Sequence, residues 1–205
     1  ATKEAGEPAH AGNPGGRSIW YSWTAPSDGT YVFDTLPSAF DTLLAVYTGS
    51  DVSALVEVAS NDDAVFNIWD QTTRSLVAFV ATEGTTYSIA VDGFNAKHGR
   101  TVLRWRNGVA NDFFEVSQAL TGVSGKVDGQ NVWATMQPDE PSPSDSLASV
   151  WYESTAPATQ LVKFSTLGAH FDSVLAVYSG TSVDGLTEIA SNDDDPLYSC
   201  CASSF

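Results

Sequence analysis

A stretch of 24 residues is written twice in this chain. FDTLLAVYTGSDVSALVEVASNDD fills residues 40–63, FDSVLAVYSGTSVDGLTEIASNDD fills residues 171–194, and fifteen of the 24 positions are identical. The spacing of 131 residues holds upstream as well, where SIWYSWTAP at 18–26 answers SVWYESTAP at 149–157. Near the start, ATKEAGEP at 1–8 answers ATMQPDEP at 134–141 with a spacing of 133, because the loop AHAGNPGGR is shortened to SPSDSLA. A period this long exceeds that of stacked solenoid repeats, so each copy reads as a whole domain. The expected division is residues 1–110 and residues 111–205.

Neither copy is complete. Residues 111–133 precede copy two and have no counterpart in copy one, whereas residues 80–107 continue copy one and have no counterpart in copy two. The first domain is therefore expected to lack N-terminal strands and the second to lack C-terminal strands. Sheet edges left open in this way invite strand addition. Two explanations stand side by side: a window on a longer tandem array, or a subunit whose open domains are completed by strands of neighbouring copies, giving filaments.

The local pattern is that of strands throughout. In TTYSIAVDG, Tyr87, Ile89 and Val91 alternate with small or polar residues; TVLRWR, TYVFDTL and VKFSTL behave alike. LLAVY and VLAVY are continuous apolar runs suited to a central, doubly covered strand. PSDGT, YTGSD, ATEGTT and VDGQN mark turns, and no stretch sustains a 3.6-residue period. The expected class is all-β: two tandem, related antiparallel sandwiches or jelly rolls.

Charge narrows the partners. The 25 acidic residues against nine basic ones, a formal net of −16, disfavour nucleic acid and anionic membranes, which need clustered Lys and Arg. No apolar run approaches a membrane span, and ATKEAGEP is no signal peptide, so any export signal would lie outside these residues. Cys200 and Cys201 are adjacent, which gives neither a disulfide framework nor a spaced metal pair.

The acids gather where the repeat ends. Asn61, Asp62 and Asp63 in copy one, and Asn192, Asp193, Asp194 and Asp195 in copy two, follow an apolar strand. Neighbouring carboxylates repel unless a hard cation neutralises them, and Ca²⁺ takes six to eight oxygens of this kind. The spacing is not that of an EF-hand. Further oxygen ligands are available from Asp41 and Asp172 at the mouth of the central strand, from Glu4 and Glu7 with its counterpart Glu140, and from Asn111 and Asp112 at the start of copy two. A solvated loop explains Glu4 and Glu7 without a metal, and a turn or strand cap explains Asp41 and Asp172.

These residues together resemble a known family. The Asn-Asp at 111–112, the FD-[TS]-[LV]-LAVY runs, the two SNDD ends and the GEP…GNPGG-S-[IV]-WY block are similar to the bacterial pre-peptidase C-terminal domain, a jelly-roll sandwich related to collagenase collagen-binding domains. The resemblance covers nearly the whole chain. It implies an extracellular accessory module that binds Ca²⁺ near the domain entrance, with ligand roles for Asn111, Asp112, Asp193 and Asp194 and more loosely for Asp62 and Asp63. Copy one lacks the Asn-Asp start, and copy two has Gln137 where copy one has Glu4, so the two sites are not expected to bind equally.

Catalysis is not expected. His10, His98 and His170 lie in neither HExxH nor beside a GxSxG serine, and His10 and His170 are not kept between copies. Trp20 and Trp151 recur inside an alternating strand and read as core; Trp23 aligns with Ser154 and so reads as dispensable to a core. Trp69, alone in a variable loop, is a candidate for stacking on sugar or a partner. Lys97, Arg100, Arg104 and Arg106 concentrate four of the nine bases and could serve head-to-tail contacts with other copies or neighbouring modules. The combined expectation is a non-catalytic calcium-binding repeat of a secreted or cell-surface protein with an adhesive, spacing or assembly role. The alternative is a module that targets a secreted peptidase to extracellular protein or polysaccharide.

Overall fold

Strand propensity carries the chain. A computed structural model describes residues 1–67 and 70–194, and its regular structure is strand, the helical pieces among the described residues being 3-10 turns of three residues each. Two compact units form, Ala1–Ala110 and Asn111–Phe205.

In the first unit the strands are β1 (Ile19–Thr24), β2 (Gly29–Asp34), β3 (Thr42–Thr48), β4 (Val56–Asn61), β5 (Val65–Asn67), β6 (Asp70–Gln71), β7 (Leu76–Ala81), β8 (Thr86–Gly93) and β9 (Arg104–Asn107). One antiparallel sheet has the order β1-β8-β3-β4, another has β7-β2-β9, and β5-β6 form a small pair. The two-residue period of a strand sends alternate side chains to one face. Tyr31 and Phe33 of β2 and Val77 and Phe79 of β7 thereby meet Leu44 and Val46 of β3 and Tyr87, Ile89 and Val91 of β8 in one buried cluster. Two sheets sharing one core give this unit the character of a β-sandwich. The LLAVY run is its central strand: β3 lies between β8 and β4, and every residue from Thr42 to Tyr47 is buried.

Trp23 departs from the sequence expectation. It packs against the core with Tyr31, Phe33, Phe79 and Tyr87 around its ring, at centroid distances of 4.7, 5.2, 6.3 and 5.9 Å. Of these four rings only Phe33 has an aromatic counterpart in copy two, Phe164, because Tyr31 is answered by Val162, and Phe79 and Tyr87 belong to the part of copy one that copy two does not repeat.

The second unit has β10 (Gln118–Leu120), β11 (Tyr152–Ser154), β12 (Leu175–Ser179) and β13 (Thr187–Asn192). The hairpin β12-β13 reproduces β3-β4 closely: Leu175 faces Asn192 as Leu44 faces Asn61, with the same irregularity one residue before the tyrosine, Tyr178 or Tyr47. Three expectations fail in this unit. β10 and β11 pair in parallel rather than antiparallel. The VLAVY run is half-buried and, among the described residues, pairs along one edge. VKFSTL at 162–167 forms no strand, and Leu161 beside it is 99% exposed. In the first unit the matching strand β2 is held on both edges by β7 and β9. Copy two repeats neither, and among the described residues this segment joins no β-ladder.

Candidate functional site

The register of β3 against β4 brings the acids together. Leu44 opposite Asn61 sets the residue before β3, Asp41, beside the two that follow β4, Asp62 and Asp63. Carboxylate oxygens of these three lie within 4.8 Å of one another, and Asp172, Asp193 and Asp194 form the same triad in the second unit. The loop backbone of the first triad is fixed by other groups. Asn61 Oδ1 accepts the Leu76 N–H at 3.0 Å, its Nδ2 donates to the Asp63 carbonyl at 3.3 Å, and Ser75 Oγ lies 2.8 Å from the Asp62 carbonyl and 2.7 Å from that of Thr42. Asn61 is thus a strut for the loop, its amide oxygen already engaged, rather than a side chain turned to the acids.

Electrostatics in the first triad are frustrated. Burial raises the Asp62 carboxyl above its ordinary range, the charges of Asp63 and Asp41 raise it further, and Lys97 acts in the opposite sense. Lys97 Nζ sits 2.7 Å from Asp41 Oδ2. The other oxygens, Asp41 Oδ1 and Asp62 Oδ1, are buried and have no hydrogen-bond partner. Buried acceptors without donors are uncommon and costly, and these two oxygens could serve as ligands to a cation. The second triad has the same composition but all three of its residues are exposed.

The remaining candidates lie elsewhere. Glu7 Oε2 accepts the Glu4 N–H at 2.8 Å, and Glu140 Oε2 accepts the Gln137 N–H at 2.9 Å, so the repeated glutamate closes the same turn in both units. Glu4 is exposed. Burial pushes the Glu140 carboxyl up, while the Ser149 hydroxyl, which donates to Oε1, acts against this. Asn111 clamps Trp151, accepting its N–H at 2.8 Å and donating from Nδ2 to its carbonyl at 2.9 Å. Asp112 is buried, which raises its carboxyl, and it accepts from Thr135 N at 2.7 Å and Thr135 Oγ1 at 3.1 Å. None of these joins a triad. Asn192 ends β13 opposite Leu175, and Asp195, Trp69, Cys200 and Cys201 lie outside the described residues.

One buried group escaped the sequence reading. His10 and the side chain of Glu7 are both fully inaccessible, with Nε2 3.0 Å from Glu7 Oε1, and His10 Nδ1 lies 2.8 Å from the Tyr47 hydroxyl. Trp20 meets the His10 ring edge-on at 5.4 Å. Burial lowers the imidazole below its usual value, against the bond to Glu7, which raises it. The cluster pins the long loop of copy one onto β3, and the shortened loop of copy two has no histidine. Nothing in AHAGNPGG alone marks the histidine as core.

The basic residues are used internally. Arg104 and Arg106 bind Asp34, and Lys97 binds Asp41, so three of the four residues suggested for head-to-tail contacts have partners within the unit. Among the described residues no helix is long and apolar enough to cross a membrane. Comparison with protein-family models, curated proteins and solved structures finds no match for this chain.

Proposed function

We propose that the chain carries two non-catalytic, calcium-stabilised modules of the jelly-roll kind, from a secreted or surface-displayed protein in which they serve adhesion or spacing. The observation that carries this reading is the pair of buried, unpartnered oxygens, Asp41 Oδ1 and Asp62 Oδ1, in a triad that recurs at Asp172, Asp193 and Asp194. Ca²⁺ binds hard oxygen donors in flexible geometry, and carboxylates flanked by backbone and water suit it better than they suit softer metals. Held there, the ion would neutralise the mutual repulsion and tie the mouth of the central strand to the loop after its neighbour. The resemblance to the pre-peptidase C-terminal domain favours the same cation, although Asn111 and Asp112 have structural partners of their own. Targeting of a secreted peptidase to protein or polysaccharide is the second reading, and it rests on that resemblance.

Thermal unfolding in calcium and in excess chelator tests the proposal. At a calcium concentration a hundred times Kd the stabilisation is about 2.7 kcal/mol per site, and each kcal/mol raises the midpoint of a domain this size by roughly 4–8 °C. The chain with Asp62, Asp63, Asp193 and Asp194 changed to Asn should lose that rise, and in chelator it should melt no lower than the parent, because like charges have been removed. An equal midpoint for the parent chain with and without calcium would sink the reading.

Lys97 makes a second prediction within it. Its ammonium occupies one oxygen of Asp41 and must leave for an ion to take that oxygen. Lys97→Gln should tighten calcium binding at the first triad about three- to tenfold, the scale of a half-exposed ion pair, and leave the second triad unchanged. Weaker binding in the variant would mean that Lys97 supports the site instead of competing for it.

A further inference from the structure

Residues 8–17 form a strap over β3, and one side chain fastens it. Lys3 Nζ donates to the Pro8 carbonyl at 2.7 Å and to the Pro14 carbonyl at 2.8 Å, and Asp92 accepts the Gly16 N–H at 2.8 Å and the Arg17 N–H at 2.7 Å, so both ends are anchored. At the tip His10 and Asn13 exchange backbone hydrogen bonds of 3.0 and 2.9 Å around Ala11 and Gly12, both in the left-handed region at φ 48° and 72°. Of residues 8–17 only His10 is buried. A tip of two hydrogen bonds has little stability of its own, so its place depends on that ring.

The seat of that ring fits a neutral imidazole. Glu7 belongs to neither acid triad. Burial raises its carboxyl, but the hydrogen bonds it accepts, those from the Glu4 N–H and His10 among them, outweigh burial and hold it below its ordinary range. As an ionised acceptor it takes a hydrogen from Nε2, 3.0 Å away, which leaves Nδ1 to accept from the Tyr47 hydroxyl at 2.8 Å. Burial and the charges of Glu57 and Glu7 raise that hydroxyl, so it keeps its hydrogen. A proton added at Nδ1 aims a donor at a donor. Tyr47 must then swing its hydrogen towards Glu57 or towards the Ala9 carbonyl, 3.5 Å off. Burial has the largest effect on the ring and opposes the imidazolium, as does the charge of Lys3; Glu7 and Asp92 favour it without prevailing. β1 faces the ring with Trp20, which carries no charge.

We propose that mild acid opens this strap: protonation of His10 lifts the ring from between Tyr47 and Trp20 and uncovers that part of the sheet. The open strap lets the imidazole titrate near 6.5, the value of an unperturbed histidine, whereas the closed strap holds it neutral. The closed form therefore has its full stability above about pH 6.5 and loses it as the pH falls below, by up to about tenfold in the closed-to-open ratio per pH unit until the closed form also takes up the proton. Opening brings to solvent Tyr47, now 1% exposed, and the Trp20 ring 5.7 Å from it. These two pack with Ala45, Ala90 and Leu55 in a small cluster separate from the main core, so the sandwich itself stays closed. Copy two has Pro143 where His10 stands after the shared Glu-Pro, and the device is particular to the first unit. None of the six triad carboxylates takes part, and the outcome is independent of the calcium reading.

The test is NMR of the full chain in chelator, with His98→Gln and His170→Gln leaving His10 as the one histidine. The Cε1 proton of its ring should titrate below about pH 6.5. Protection of the backbone amides at positions 10 and 13 against hydrogen exchange, corrected for the intrinsic exchange rate, should fall about five- to tenfold between about pH 7.5 and about pH 5.5. Adding His10→Gln, which takes up no proton in this range, should remove the fall. A ring midpoint at or above 6.5, protection that does not change with pH in the parent, or the same fall in the His10→Gln chain would each overturn the proposal.

Discussion

Asp34→Ala should lower the stability of residues 1–110 by about 3–5 kcal/mol, as expected when one partner of a buried ion cluster is removed. Asp34 ends β2 with its side chain fully inaccessible. Its Oδ1 accepts from Arg104 Nε at 2.9 Å, from Arg104 Nη2 at 2.8 Å and from the Leu36 N–H at 3.1 Å, and its Oδ2 accepts from Arg106 Nη1 at 2.8 Å. The register sets both arginines: Arg104 lies opposite Asp34 and Arg106 opposite Val32, on the face of β2 turned away from the core. Without the carboxylate two guanidiniums face each other over a buried strand, and the short β9 keeps its backbone ladder to β2 but loses its side-chain tie. Asp34→Asn keeps the shape and should cost less. Urea unfolding reads the effect as a lower midpoint with an unchanged slope; a loss under about 1 kcal/mol would place the pair among ordinary surface ion pairs.

The preceding residue points the other way and tests the other face. Phe33 is 1% exposed, stacks on Phe79 at 5.8 Å and meets Trp23 edge-on at 5.2 Å. Phe33→Ala should cost about 3–5 kcal/mol through lost transfer energy and an unfilled cavity between the sheets. The repeat supplies an internal control. Phe164 occupies the matching place in copy two, but it lies in a segment that forms no strand and is only partly buried. Phe164→Ala should therefore cost less than about 1 kcal/mol. Equal losses at the two positions would mean that the second unit packs a core like the first.

These two residues also mark where sequence reading succeeds and where it stops. Alternation in TYVFDTL places Phe33 inward and Asp34 outward, but the arginines that meet Asp34 lie 70 and 72 positions away and follow from sheet order, which no local pattern encodes. The matching segment in copy two shows the same limit. VKFSTL has the alternation of a strand and forms none, because a strand depends on neighbours supplied by other parts of the chain. The acid triads were legible, since repetition tied Asp41 to Asp172 and both SNDD ends to each other. The other oxygen donors misled for a physical reason: a carboxylate or amide at a turn serves backbone N–H groups as readily as a cation. Glu7 and Glu140 close turns, Asp112 holds Thr135, and Asn61 braces its own loop. His10 and Trp23 were missed because comparison of the copies hides any residue whose packing partners occur in one copy alone.

Calcium titration followed by isothermal calorimetry tests the central claim most directly. The account predicts saturable heat with two ions bound per full chain, one for each triad, and none in the chain whose Asp62, Asp63, Asp193 and Asp194 are Asn. The absence of binding up to millimolar calcium, the weak limit for extracellular modules, or binding retained in full by the Asn variant, would contradict it.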